Sequence, residues 1–463
     1  MGKDSRKVTQ TIKKMEDSLD RLQSVKAKAR EDKIEEYEKM VAEGKMTMDE
    51  MEEAPLPKAW SDETLATYKS MLSSFIRSSH KEYGLSDMKK IAKSGCFEKN
   101  INRRLENYYN GSIKEAYNIK TLVAAVKGFN EAVVTTKGFT KVAENREKFV
   151  IPNVEKVQEE LKTNNVLRYS SASSVVTPTM REIDSVLYNI KNNGHGMKDD
   201  ESNMRRIAYV TSKLQSISGG RITNTIGLKA GQVRELITHG RITFYKDKGG
   251  LSREVIELPI DKELKSELSK LVQGRGNDKR AFVGKKLDGK FLSITETRKA
   301  VNRIVSEAGA HLKREEQITI KDRNGNKKQI TVEKKFSTHS FRKGFALERT
   351  VSYINRFKTH KDAEAYIRER AKDNPKIWAK YQAVKRRIND PKQQKDGTYK
   401  GRRNPRELTK LEMAYFCTSV DLGHFRLGIV ENYYCSPGEV LEHYKSTYGE
   451  EYSGFTGETK RGL

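Results

Sequence analysis

Residues 421–434 read DLGHFRLGIVENYY. Leu422-Gly423-His424 is followed nine residues after the histidine by Tyr433, with Tyr434 beside it. A lone aromatic pair of this kind is usually core. Three other strings change its weight. STHSFRKGFA (337–346) sets His339 and Arg342 at i, i+3, on one face at the start of a helix. SGGRITNTIGL (218–228) puts Arg221 directly after two glycines at the opening of another helix. YKDKGGLSRE (245–254) is a hairpin tip carrying Lys248. Taken singly, each has a plain structural reading: a glycine-ended loop, a solvated tip lysine, a capped helix start.

Their joint occurrence, in the order Arg…Lys…HxxR…LGH…Tyr, resembles the tyrosine recombinase (phage integrase, lambda-integrase-like) family over roughly 60–463. The resemblance implies a mainly α fold with a small antiparallel β-sheet: a helical SAM-like core-binding domain followed by an α+β catalytic domain. It implies Arg221 as the first catalytic arginine, Lys248 as the hairpin lysine, and His339 with Arg342 as the HxxR pair. His424 becomes the third-motif histidine and Tyr433 the nucleophile. Lys246 lies two residues before Lys248 and points the same way; the glycines after Lys248 and Arg253 beyond them favour Lys248. Tyr434 is the alternative to Tyr433, and the interval of nine favours Tyr433.

These residue types suit phosphodiester chemistry. Attack on phosphorus adds negative charge to the non-bridging oxygens, and two guanidiniums, each a rigid fork of donors, can hold it. Removing one such preorganised donor typically costs about 3–4 kcal/mol of transition-state stabilisation. A tyrosine hydroxyl, with a reference pKa near 10, needs a base or a positive field. His339 is the candidate for its proton, and a lysine on a hairpin is the candidate acid for the leaving 5′-oxygen. The expected product is a 3′-phosphotyrosyl link, with no metal and no cofactor. A type IB topoisomerase or a telomere resolvase would share this chemistry. An inactive DNA-binding protein is the alternative from another class.

The chain has 463 residues, a length that suggests two or three domains. Lys and Arg number 90 against 63 acidic residues, a net charge of +27 that favours a polyanionic partner, here double-stranded DNA. No apolar run long enough to span a membrane occurs, and the N-terminus lacks the apolar stretch of a secretory signal, so a cytoplasmic, nucleoid-associated protein is expected. Cys96, Cys417 and Cys435 have neither disulfide-framework nor zinc spacing.

The expected organisation begins with a charged helical extension at 1–55, where Ile12, Met15, Leu19 and Leu22 form a short stripe. That segment carries 12 basic and 14 acidic residues, so it reads as a helix packing on a neighbour or an arm for an accessory protein rather than a DNA-binding arm. A helical core-binding domain follows at 56–166, with helices at 98–109, 113–130 and 138–149 and Ser61 as an N-cap. The linker falls at 167–176. The catalytic domain, 177–463, opens with Thr177 capping a helix that begins at Pro178. It includes a hairpin around Asn324-Gly325 and a basic insertion at about 356–410 with Lys380, Lys385, Arg386, Arg387, Lys400, Arg402 and Arg403. The insertion is read as extra DNA contact, with a solvated lid as the alternative. Its length makes the interval from Arg342 to His424 longer than in compact members of the family. By the same resemblance, the segment after Tyr433 docks on a neighbouring protomer, implying a dimer or tetramer on DNA.

Overall fold

Side-chain caps mark where the helices begin. Ser5, Ser61, Asp87, Asp261, Ser293, Ser337, Thr359, Thr409 and Ser436 each accept a backbone N–H of the first turn that would otherwise lack a partner. The computed structural model describes residues 5–46, 51, 54–163, 166–167, 174–192, 199–245, 253–285, 289–389, 392–393, 399–400 and 406–455. The chain is mainly helical, and its strands form two-stranded sheets only among the described residues. No helix among those residues is long and apolar enough to cross a membrane.

Two compact units divide the chain. The first comprises 1–171 and 316–332. Its helices are α1 (Arg6–Ala42), α2 (Asp62–Tyr83), α3 (Met88–Lys93), α4 (Cys96–Tyr109), α5 (Ile113–Thr135) and α6 (Val154–Thr163). The stripe on α1 is buried at Val8, Ile12, Met15, Leu19 and Leu22 and packs on α2 and α5. Residues 6–42 are therefore built into this unit. The helix expected over 138–149 is a 3-10 segment, Ala143–Phe149, that buries none of its residues. An apolar face is what would have held a longer α-helix there. Arg77, Lys81, Lys89, Lys90, Lys93 and Arg103 are exposed, whereas Arg104 is half-buried against Glu115 and Asn100.

The second unit, 172–315 and 333–463, contains α7 (Met180–Asn192), α8 (Asp199–Ser218), α9 (Ile222–Ile226), α10 (Ala230–His239), β1 (Ile242–Phe244), β2 (Arg253–Val255), α11 (Lys262–Val272) and α12 (Ile294–Ala308). Strands β3 (Lys313–Lys321) and β4 (Lys327–Lys335) form the second hairpin. Gly325 turns it at a positive φ, and its distal part belongs to the first unit, where Arg323 binds Asn102 at 2.8 Å and pairs with Glu160. The chain then continues through α13 (Thr338–Arg356), α14 (His360–Asp373), α15 (Lys376–Asn389), α16 (Lys410–Asp421) and α17 (Pro437–Tyr448).

Helix α13 is the axis of this unit. It buries Phe341, Phe345, Leu347, Val351 and Ile354, and α7, α8, α12, α16 and α17 pack around it. Helix α17, which follows Tyr433, packs on α13, with His443 Nε2 2.5 Å from Glu348 Oε1. The capping role read for Thr177 falls to Thr179, which exchanges hydrogen bonds with Glu182. Thr177 instead donates to the Tyr434 carbonyl at 3.1 Å.

Two helices of the basic stretch 356–410, α14 and α15, are part of the core. Ala363, Ile367, Ile377, Tyr381 and Val384 from α14 and α15 are buried in the same cluster as α13. Arg370 on α14 also reaches Asp421, which is fully buried. That carboxylate accepts Arg349 Nε at 2.8 Å, Arg370 Nη1 at 3.0 Å and the Tyr353 hydroxyl at 2.7 Å. Burial pushes the Asp421 carboxyl up, but the charges of Arg349 and Arg370 outweigh it and hold the group below its ordinary range. Lys380, Arg386 and Arg387 are exposed on α15; Arg402 and Arg403, and the side chain of Lys400, lie outside the described residues. Asp421→Asn should cost about 3–5 kcal/mol of stability by leaving two buried guanidiniums without their carboxylate. Urea unfolding checks this, and a change below about 1 kcal/mol would show the network to be dispensable.

Candidate active site

Two glycine turns bring the site together. Gly219, at φ +61°, ends α8 and precedes Arg221; Gly423, at φ +72°, ends α16 and precedes His424. A Cβ at Gly219 would sit 2.5 Å from the Phe345 ring, and one at Gly423 would sit 2.7 Å from Arg253 Cδ. Both the left-handed backbone and the close packing therefore require glycine.

Two buried arginines hold these turns. Arg253 on β2 lies over the Phe244 ring and donates to the carbonyls of Ser218 (3.3 Å), Gly219 (3.1 Å) and Asp421. Arg342 is 0% exposed; it donates to the carbonyls of Gly219 and Leu422, the latter at 2.8 Å, and through Nε to the Tyr434 hydroxyl at 2.8 Å. His424 Nε2 lies 3.1 Å from that same hydroxyl and 3.3 Å from Arg342 Nη2. Arg221 occupies the N-cap position of α9 and is half-buried.

The tyrosines lie on a single π-turn, Val430–Tyr434. Tyr433 is 41% exposed and Tyr434 only 3%. Both rings have centroids 5.7 Å from the His339 ring. His339 Nε2 is buried with no hydrogen-bond partner among the described residues. Burial first, then the charges of Arg342, Lys343 and Arg221, push the His339 pKa down to about 4, so the ring is neutral at pH 7. Burial also pushes the Tyr433 phenol up, aided by Tyr434 and opposed by Arg342 and Arg221. The arrangement thus holds an accessible neutral phenol, a neutral imidazole with an unused ring nitrogen, and guanidiniums whose charge acts on both.

The structure therefore brings together His339, Arg342, His424 and Tyr433, with Arg221 near enough for its charge to act on His339 and Tyr433. Lys248 and its alternative Lys246 lie outside the described residues. Sequence reasoning gave Arg253 no role of its own. Its signal was the period of two on β2, which places Arg253 on the buried face with Val255. The hydroxyl contacts of Tyr434 had no sequence signal.

For a metal, His360, Glu364 and Glu407 offer ligand atoms within 4.8 Å of one another. However, Lys385 Nζ already lies 3.2 Å from Glu364 and 2.8 Å from Glu407, so an ammonium supplies the positive charge there. No protein-family model and no curated protein matches the chain.

The neutral His339 fixes a pH dependence. As pH falls from the ordinary histidine value of 6.5 to about 4, the unfolded chain takes up a proton at this position that the folded chain refuses, so stability drops. The loss attributable to His339 should reach about 3 kcal/mol by pH 4 and vanish above pH 7. His339→Gln should remove that part of the pH profile, measured as urea midpoints at pH 7.5 and 4.5. Identical profiles for the two proteins would refute the neutral, buried imidazole.

Proposed function

We propose that the chain is a DNA strand-transfer enzyme of the tyrosine recombinase type, acting on double-stranded DNA through a 3′-phosphotyrosyl intermediate. The observation that carries this reading is the meeting of two distant strings: His339 lies against the Tyr433 ring, Arg342 lies 3.3 Å from His424, and Tyr434 touches all four residues.

In this reading the Tyr433 oxygen attacks the scissile phosphorus. The O–P bond to tyrosine forms as the bond to the 5′-oxygen breaks. The phenolic proton passes to His339 Nε2, which is unprotonated at neutral pH, as the bond to phosphorus forms, and the charge of Arg221 and Arg342 eases its loss from the phenol. Arg342, Arg221 and His424 hold the non-bridging oxygens as charge builds. Lys248 protonates the leaving 5′-oxygen. Written this way the transfer balances without a metal or nucleotide, and the bond energy is conserved for rejoining. The surplus of basic residues supplies affinity for the DNA backbone. Assembly into a dimer or tetramer on DNA belongs to the same proposal.

The test is covalent trapping on a nicked suicide duplex, followed by peptide mapping. The wild type should form an adduct on Tyr433 attached to a 3′-phosphate, and Tyr433→Phe should lose the adduct while its DNA affinity changes less than about threefold. An undiminished adduct in Tyr433→Phe would remove Tyr433 as nucleophile. The basic surface is tested by point substitutions, because α14 and α15 belong to the core. Arg387 and Arg426 are exposed and line one cleft with Val384, Ile388 and Phe425. The double substitution Arg387→Ala, Arg426→Ala should lower the salt slope of DNA binding by about 1–2. An unchanged slope would take this cleft out of the DNA interface.

A further inference from the structure

We propose that the Tyr434 hydroxyl is a stand-in for a phosphate oxygen: in the DNA-free protein it fills the Arg342–His424 clamp, and it yields that place to the scissile phosphate when DNA arrives. This rests on the strand-transfer reading above and makes Tyr434 a positioning residue that acts through Arg342.

Three observations meet here. First, the hydroxyl oxygen lies 2.8 Å from a guanidinium N–H donor and 3.1 Å from an imidazole nitrogen, the surroundings a phosphate oxygen seeks. Second, Arg342 is 0% exposed, so any substrate that touches it must displace a group already there. Arg342 also donates to the Gly219 and Leu422 carbonyls, main-chain atoms in turns that Arg253 also holds through Gly219 and the neighbouring Asp421. A side chain on a single π-turn is the group that can leave without unmaking those turns. Third, the Tyr434 ring packs against both His339 and Tyr433, with centroids 5.7 and 5.3 Å away. Withdrawing Tyr434 therefore also reorients the base and the nucleophile, and coupling between phosphate binding and assembly of the reacting groups follows.

The partner is a phosphate monoanion or diester, and the test uses inorganic phosphate and the nicked duplex as probes. Tyr434→Phe should bind inorganic phosphate about tenfold more tightly in the DNA-free state, because the hydroxyl no longer competes for the arginine. Single-turnover cleavage at limiting DNA should rise by a similar factor, with the adduct still on Tyr433. Unchanged phosphate affinity and unchanged rate would overturn the proposal and leave the hydroxyl as a space-filler. Loss of the adduct in Tyr434→Phe together with its retention in Tyr433→Phe would also overturn it, by making Tyr434 the nucleophile. If no protein forms an adduct on DNA it binds while Tyr434→Phe still gains phosphate affinity, the clamp stands and the recombinase reading fails.

Because Phe leaves a buried N–H without its acceptor, the folded wild type supplies a second measurement. Tetranitromethane should nitrate Tyr433 and spare Tyr434 in phosphate-free buffer, and saturating phosphate should make Tyr434 reactive. Protection of Tyr434 at every phosphate concentration would overturn the exchange.

Discussion

Two buried guanidiniums hold this site together. Arg253 and Arg342 draw the carbonyls of Ser218, Gly219, Asp421 and Leu422 onto charged donors, tying the turn after α8 to the turn after α16. A buried carbonyl needs a donor and a buried cation needs acceptors, and here each need meets the other. Two of the site's candidate residues hang from those turns: Arg221 follows one and His424 follows the other. The carboxylate of Asp421, held by Arg349, Arg370 and Tyr353, fixes the end of α16 from the opposite side, and this is why α14 cannot be treated as an appendage.

Much of the frame was legible in the sequence because it is written in local patterns. The stripe of α1, the Ser61 cap, the Asn324-Gly325 turn and the helix starting near His339 follow from period, capping and turn chemistry, all of which act over a few residues. The 138–149 segment failed because Gly138 and a lack of buried apolar residues remove what would sustain an α-helix. The capping assignment at Thr177 failed for a different reason: its hydroxyl is drawn away by the Tyr434 carbonyl, a partner far along the chain.

The site shows the same division. Candidate residues could be listed from their spacing, but which hydroxyl of Tyr433 and Tyr434 meets Arg342 depends on how the π-turn presents two adjacent side chains. One ends exposed and the other buried. The low basicity of His339 was equally out of reach, since it comes first from burial, which tertiary packing sets, and then from Arg342 and Lys343 on its own helix and Arg221 from another segment. The packing of α14 and α15 within 356–410 was hidden for a compositional reason. Lys380, Arg386 and Arg387 are exposed on α15, while the apolar residues that α14 and α15 bury are few and widely spaced.

The β3–β4 hairpin carries a consequence for synthesis. Residues 316–332 belong with the unit built from 1–171, so that unit lacks a native part until the chain has been made past the middle of the other unit. On the ribosome, Asn102 and Glu160 wait for Arg323 through the translation of everything between. The nascent helices of the first unit therefore spend that interval with part of their final surface uncovered.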